Sequence, residues 1–382
     1  MIYLDHNATS PLDPEVLEAM RPFFLEAGNA ESRHSAGRRA RRAWEESKGA
    51  RRPGPGCRSG RGDLHLRGHR ANNLALFGLA GIEAGAGHIV SSPIEHPAVA
   101  EPVARLEAEG FAVDRPPVGR EGVADAEEMA ARFTERTRLV TLMLANNEVG
   151  SLSRSSSSPA SRFPGASRYT DAVQAVGRIP VHFHALGVTT LAASGHKFHG
   201  PVGAGILLVR RGVRLKSWLL GGTQQQGRRP GTVPVPLVVG LAAALDRWQA
   251  ESSARTARWR SLRDRLESGL VLALGADRVV RNGPADPERS LPQTINLGFP
   301  GIDGEALLMQ LDLVGVAVSL GAACASGSMR ASPTLVAMRV PDDRLRSSVR
   351  FSLGATTTEE EIEEAIRRIV GAVHQLLGDP TG

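Results

Sequence analysis

Ser194-Gly195-His196-Lys197-Phe198-His199-Gly200-Pro201 follows the largely apolar run Val188 to Ala193 and closes on a Gly-Pro turn. A lysine at the end of a buried strand has to be used or solvated. Desolvation lets a lysine surrender its charge and act as an amine nucleophile, the chemistry of Schiff-base lysines. A lone lysine on a loop is more often simply solvated. Two further clusters tip the reading towards use: Thr170-Asp171-Ala172-Val173-Gln174 upstream, and the small-residue run around Cys324 downstream.

Working outward, strands alternate with helices on both sides of this stretch. Glu15–Phe24, Ala36–Ser47 and Ala71–Ile82 read as helices, and Leu237–Ala250 and Arg258–Leu272 as two more. Tyr3–Asn7, Gly87–Ser91, Leu139–Ala145 and Gly205–Val209 read as strands. Thr358 caps a closing helix whose apolar face is Ile362, Ile366, Ile369, Val373 and Leu376. Functional residues at strand ends predict an open α/β sheet with its site at the carboxyl edge.

The 382 residues suffice for two domains, and 41% apolar with 23% charged content is ordinary for a folded protein. The run near Val235–Leu245 is too short and broken to span a bilayer, and Met1–His6 has no secretory pattern. Two cysteines exclude a disulfide framework and a cysteine-rich zinc site, so a cytoplasmic protein without a metal is expected. The net charge of +6 raises nucleic acid as a partner. Residues 51–70 alone carry +5, however, and residues 151–168 carry +3, leaving the rest slightly acidic. The basicity belongs to two anomalous tracts, and no direct nucleic-acid role or membrane role is expected.

Lys197 as a Schiff-base lysine calls for the other anchors of pyridoxal 5'-phosphate. Asp171 fits the carboxylate that keeps the pyridine nitrogen protonated. Gln174 and Asn147 can donate to the phenolic oxygen, His96 can stack on the ring, and Ser194 and His196 can hold the phosphate. Each alone has an ordinary structural explanation; together and in this order they are specific.

At this point the sequence resembles the cysteine desulfurase family, class-V aminotransferase-like enzymes of pyridoxal-phosphate fold type I. The matching stretches are Tyr3 to Thr9, Glu95-His96, Asn146 to Gly150, Asp171 to Gln174, Ser194 to Lys197, Arg229 to Thr232, Gly321 to Ser328 and Val349 to Gly354. Ala30 departs from a usual proline, and Gln225-Gln226 from a common Glu-Arg pair. The resemblance implies a large α/β domain, 14–250, with a mainly parallel central sheet flanked by helices. A smaller α+β domain, 1–13 and 251–382, would carry the cysteine loop. It implies that Cys324 is the thiolate that takes sulfur from L-cysteine, leaving L-alanine and a persulfide. Lys197 and His96 would move protons, Arg350 and Asn7 would bind substrate, and Thr232 would reach the cofactor phosphate of a second subunit in a homodimer. The sulfur would pass to an acceptor protein, an iron–sulfur scaffold or a tRNA-thiolation protein. An aminotransferase or β-eliminating lyase of the same fold is the alternative enzyme. An inactive product of a damaged gene is the other.

That last alternative comes from the anomalous tracts, about 49–70 and 151–168. Before Ala71-Asn72-Asn73 the family has a phosphate-gripping Thr-Ser-Gly-(Ala/Gly)-Thr-Glu motif, where this chain has Leu64 to Arg70. Codons for Gly62–Arg70 read one base later permit that motif. From Leu152 onward, a two-base shift permits a family-like amphipathic helix. Both tracts are read as compensated frameshifts, with loss of a core helix and weak cofactor retention expected of the chain as written.

Overall fold

The computed structural model describes residues 1–49, 64–65, 68–81, 87–153, 165–320 and 331–378. The chain begins with β1 (Ile2–Tyr3), α1 (Pro14–Leu25) and α2 (Ser35–Gly49), followed by β2 (Leu64–His65) and α3 (Gly68–Ala80). Next come β3 (His88–Ser91), α4 (Pro97–Ala108), β4 (Ala112–Asp114), α5 (Ala126–Ala131) and β5 (Thr137–Thr141). Then β6 (Ser167–Asp171), β7 (Thr190–Ser194) and β8 (Gly205–Val209) lead to one long helix, α6 (Val235–Leu274). The remainder is β9 (Val280–Asn282), β10 (Thr294–Gly298), α7 (Gly304–Leu313), β11 (Val316–Ala317), α8 (Pro333–Ala337), α9 (Asp342–Leu345), β12 (Ser348–Ser352) and α10 (Glu359–Leu377).

Among the described residues the main sheet has seven strands in the order β2-β8-β7-β6-β5-β3-β4. The five from β7 to β4 pair in parallel, while β8 runs antiparallel to β7 and β2 antiparallel to β8. Fully buried β7 and β8, Thr-Leu-Ala-Ala-Ser and Gly-Ile-Leu-Leu-Val, show why: strands covered on both faces have no polar side to alternate. A second, antiparallel sheet, β12-β10-β9, sits under α6, α7 and α10. Ile2 and Leu4 join the core beneath it with Trp259, Phe351 and Ile369, since β1 pairs with β11. The first residues are thereby stitched to the last third of the chain.

Four expectations change. Helices 237–250 and 258–272 are one helix of 40 residues. The polar Glu251-Ser252-Ser253 looks like a break, but Glu251 bonds back to Arg247 and forward to Arg255, and Trp248 stacks on Trp259 with ring centroids 5.9 Å apart. Helix α3 starts one turn before Ala71, at Gly68, and β2 pairs with β8, so the first tract is not wholly without regular structure. Ser167 and Arg168 of the second tract open β6. The strand expected at 139–145 is Thr137–Thr141, and beyond it Leu142 and Leu144 still donate their N–H groups to the Tyr169 and Asp171 carbonyls of β6. Residues 50–63, 66–67 and 154–164, and with them the helix a shifted frame would supply in the second tract, lie outside the described residues.

Among the described residues no helix is long and apolar enough to cross a membrane.

Candidate active site

The carboxyl ends of adjacent parallel strands present the site. Asp171 is the last residue of β6 and Ser194 the last of β7, and Lys197 ends the helical turn Gly195–Lys197 that follows. His96 caps α4: its Nδ1 accepts from Ala98 N–H at 3.0 Å, which leaves the hydrogen on Nε2 in the neutral ring.

The N-terminal segment is the floor on which these residues meet. Lys197 Nζ donates to the carbonyls of Asn7 (2.6 Å) and Ala8 (2.8 Å). Gln174 Nε2 donates to the same Asn7 carbonyl at 3.0 Å, and its Oε1 is buried without a protein partner. Asn7 Nδ2 donates to Thr294 Oγ1 at 2.9 Å and to the Asn147 carbonyl at 3.1 Å. That Asn147 carbonyl also accepts from Arg350 Nη1 at 3.0 Å, while Arg350 Nη2 pairs with Asp5 Oδ1 at 2.6 Å. Arg350 Nε is buried and unpartnered. His196 reaches Thr9 Oγ1 at 3.1 Å, and its carbonyl takes Ser10 N–H at 2.8 Å.

Asp171, 4% exposed, is fixed from two sides. Asn72 of α3 donates to Oδ2 at 2.8 Å, and Val173 N–H to Oδ1 at 2.9 Å. Behind it lies Glu95, whose carboxyl accepts from Met143 N–H at 2.9 Å. Burial, and then the charge of Asp171, push Glu95 up to about 8, so it carries a proton at neutral pH. Lys197 moves the other way. Burial, then the guanidinium charges of Arg350 and Arg178, bring its amine down to about 8 against the pull of Asp171 and Asp5. His96 is lowered by burial, with Asp171 opposing and His69, Lys197 and Arg350 adding to the effect. His196 falls to about 4 from burial and the neighbouring Lys197 charge.

The structure thus gathers Lys197, Asp171, Gln174, Asn147, His96, Ser194, His196, Arg350 and Asn7 at one sheet edge. Ser194 faces the first turn of α3: a side chain on Gly68 would stand 3.3 Å from its Oγ. Thr232 stands apart, exposed, with its carbonyl accepting from Arg229. Cys324 lies outside the described residues. The flanks of its segment are anchored, however. Ser319 exchanges backbone hydrogen bonds with Arg350 at 2.7 and 3.3 Å. Ser332 and Thr334 both donate to the buried carboxyl of Glu148, Thr334 at 3.0 Å.

Four residues without an assigned role in the sequence matter here: Asn72, Glu95, Glu148 and Arg178. Glu95 and Glu148 stand inside motifs already quoted. A carboxylate just past the end of an apolar run was the available signal.

The residues present fit pyridoxal phosphate. A fixed carboxylate stands at a strand end near a depressed lysine, a buried amide keeps an unpaired oxygen, and a helix N-terminus lies beside a serine and a histidine. Such an N-terminus favours a phosphate.

A family model described as aminotransferase class-V matches residues 2–365. A cysteine desulfurase of the NifS type from Azotobacter vinelandii is 36% identical over 388 aligned positions, covering 98% of this chain and 93% of that protein. An IscS-type cysteine desulfurase from Dictyoglomus turgidum is 37% identical, covering 97% and 94%. Among solved structures, a NifS-like protein superposes with a TM-score of 0.90 at 34% identity, covering 98% of this chain and 100% of that one. The structure of SspA in complex with cysteine matches with a TM-score of 0.80 at 26% identity, covering 94% and 100%.

Proposed function

The chain belongs to the class-V aminotransferase family and, within it, to the cysteine desulfurases, and from that premise we propose how its own residues divide the work. The family is pyridoxal-phosphate-dependent and acts on L-cysteine. Bound here, the cofactor supplies a ring that takes up negative charge from the substrate's α-carbon. Lys197 would hold it through its amine and Asp171 would face the pyridine nitrogen. Gln174 and Asn147 would serve the phenolic oxygen and His96 the ring face. Ser194, His196 and the α3 N-terminus would take the phosphate.

Arg350 is suited to the substrate carboxylate. Its guanidinium is held in plane by the Asn147 carbonyl, and its one anionic partner, Asp5, can be exchanged for the substrate. Asn7 ties that arginine's neighbour to Lys197. The lysine amine, with its lowered basicity, can both accept and return a proton near neutral pH. His96, held neutral by burial, offers its Nε2–H for a second transfer. Cys324 as thiolate attacks the substrate sulfur. The S–S bond forms as the Cβ–S bond breaks, carbon keeps the bonding pair and takes a proton, alanine leaves, and Cys324 holds the persulfide.

The observation that carries this reading is the convergence of Lys197, Gln174 and Arg350 on the Asn7–Asn147 pair, beside Asp171. The test is alanine and sulfide release from cysteine: Cys324→Ala should abolish both, and undiminished turnover would rule out its role.

Thr232 lies exposed in a segment where Leu220 is 95% exposed. A second copy of the chain covering this face would place Thr232 at the other copy's phosphate, so the working unit is a homodimer. Sedimentation of the purified chain checks it. The sulfur passes to an acceptor protein of iron–sulfur assembly or tRNA thiolation. The division into 14–250, and 1–13 with 251–382, follows the two sheets. The two tracts are compensated frameshifts, and reading the gene's nucleotides across codons 49–70 and 151–168 decides that point.

A further inference from the structure

We propose that Arg178 is a positioning residue for Lys197, holding the lysine's main chain and biasing its amine towards the neutral form through a fixed, buried positive charge. This rests on the reading of Lys197 as the cofactor-bearing lysine.

Arg178 lies seven residues beyond Asp171 in a tight turn, and it is 2% exposed. Gly177 makes the approach possible. Its φ is +77°, and a Cβ there would stand 2.2 Å from that of Phe198, the residue after Lys197. With that face bare, the turn packs against the lysine's own loop. Arg178 then donates to the Lys197 carbonyl twice, from Nη2 at 2.6 Å and from Nε at 3.1 Å. Nη2 also reaches the His6 carbonyl at 2.9 Å, and Nη1 reaches Asn7 Oδ1 at 3.3 Å.

These contacts form a closed circuit. The guanidinium grips the root of Lys197 and, at the same time, the His6–Asn7 segment whose carbonyl receives the lysine's tip. A lysine held at both ends loses little further freedom when it reacts.

Arg178 also acts through its charge. Every hydrogen bond of Arg178 given above ends on a neutral oxygen, so no carboxylate among those acceptors cancels its charge. A guanidinium keeps that charge at neutral pH even where burial disfavours it. The groups facing the lysine amine are Arg350 from β12, Arg178 from its turn, Asp171 from β6 and Asp5 from the N-terminal segment. His196 beside it and His96 on α4 also interact with it. The two aspartates favour the ammonium form. Without Arg178, burial and the Arg350 charge are left to oppose them, and Arg350 is itself paired with Asp5.

The full chain, freed of pyridoxal phosphate, is labelled with trace acetic anhydride between pH 6 and 11, and acetylation of Lys197 is read by mass spectrometry. Arg178→Met and Arg178→Gln should raise the midpoint of Lys197 by about one pH unit, roughly tenfold less neutral amine at pH 7. Arg178→Lys, which keeps the charge, should stay close to the parent. If Arg178→Met fails to fold, Arg178→Gln decides, because it retains a donor for the Lys197 carbonyl. An unmoved midpoint in the folded neutral variants overturns the proposal, as does a parent midpoint at the ordinary lysine value. Borohydride trapping of pyridoxal phosphate separates the underlying reading. Trapping that survives Lys197→Ala removes Lys197 as cofactor lysine, and leaves the titration result standing by itself.

Discussion

Replacing Gly354 by alanine adds one carbon atom and should injure both the fold and the site. An ideal Cβ there lies 2.0 Å from His6 Cε1, 2.2 Å from Nδ1 and 2.5 Å from Nε2. Reaching an ordinary contact means opening a gap by more than an ångström. Neither side can yield. The His6 ring is 2% exposed and wedged between Tyr3, at 4.9 Å between centroids, and His199, at 5.8 Å. Gly354 is pinned by Trp259 Nε1 on its carbonyl at 2.7 Å and by Thr357 Oγ1 on its N–H at 3.0 Å. Gly354 is not among the residues of positive φ, so alanine brings no backbone penalty and the clash stands alone. Overpacking of this kind costs about 1–3 kcal/mol, which for a chain of this size lowers Tm by roughly 1–4 °C. Because the His6 carbonyl is a ligand of Arg178 and Asn7 follows it, a shift of about 1 Å should also cut kcat/KM on the order of 100-fold. The assay is a double-mutant cycle of Gly354→Ala and His6→Ala by thermal unfolding. Removing the ring should erase the glycine penalty, giving a coupling of about the same size as that penalty. Additive effects, or an unchanged Gly354→Ala, would refute the steric argument.

Other outcomes follow from buried charge. Burial lowers His6 to about 3 and both His196 and His199 to about 4, so the unfolded chain binds three more protons than the folded one as pH falls from 6.5 towards 4. Glu95, raised to about 8, works in the opposite direction above its unfolded value, because the folded chain keeps its proton. The net uptake of about two protons on unfolding means stability falls by roughly 2 kcal/mol per unit between pH 6 and 5. Urea titrations at pH 7, 6 and 5 should show this, and a flat profile contradicts it. Glu148→Ala removes the acceptor of two buried hydroxyls, on Ser332 and Thr334, and should cost about 1–3 kcal/mol. Turnover should fall with it, because Ser332 closes the segment that carries Cys324. Glu148→Gln keeps an acceptor and should lose less; a fully stable Glu148→Ala removes the clamp from the argument.

What could be read in advance was local. Lys197, Asp171 and Gln174 sit where apolar runs end, and a run's end is visible from its own residues. What could not be read depends on contacts across the chain. Asn72 meets Asp171 at a separation of 99 residues, and Glu148 meets Ser332 at 184. No periodicity marks such pairs in advance. Ser252 and Ser253 lie inside the single helix α6, where packing of Trp248 on Trp259 overrides the weak local preference of serine. The early start of α3 was hidden because Gly68-His69-Arg70 has no apolar face to signal a turn of helix.

Helix α6 has a mechanical consequence. At 40 residues it is a rod about 60 Å long. Its first half, with Val238, Leu241 and Leu245, is embedded among the residues around the parallel sheet; its second half, with Leu262, Leu266 and Leu270, is embedded under the antiparallel one. A hinge between the two sheets would have to break this rod or tear one half from its bed. The molecule is therefore braced against bending at its middle, and the lysine floor and the arginine fork keep their spacing as parts of one rigid frame.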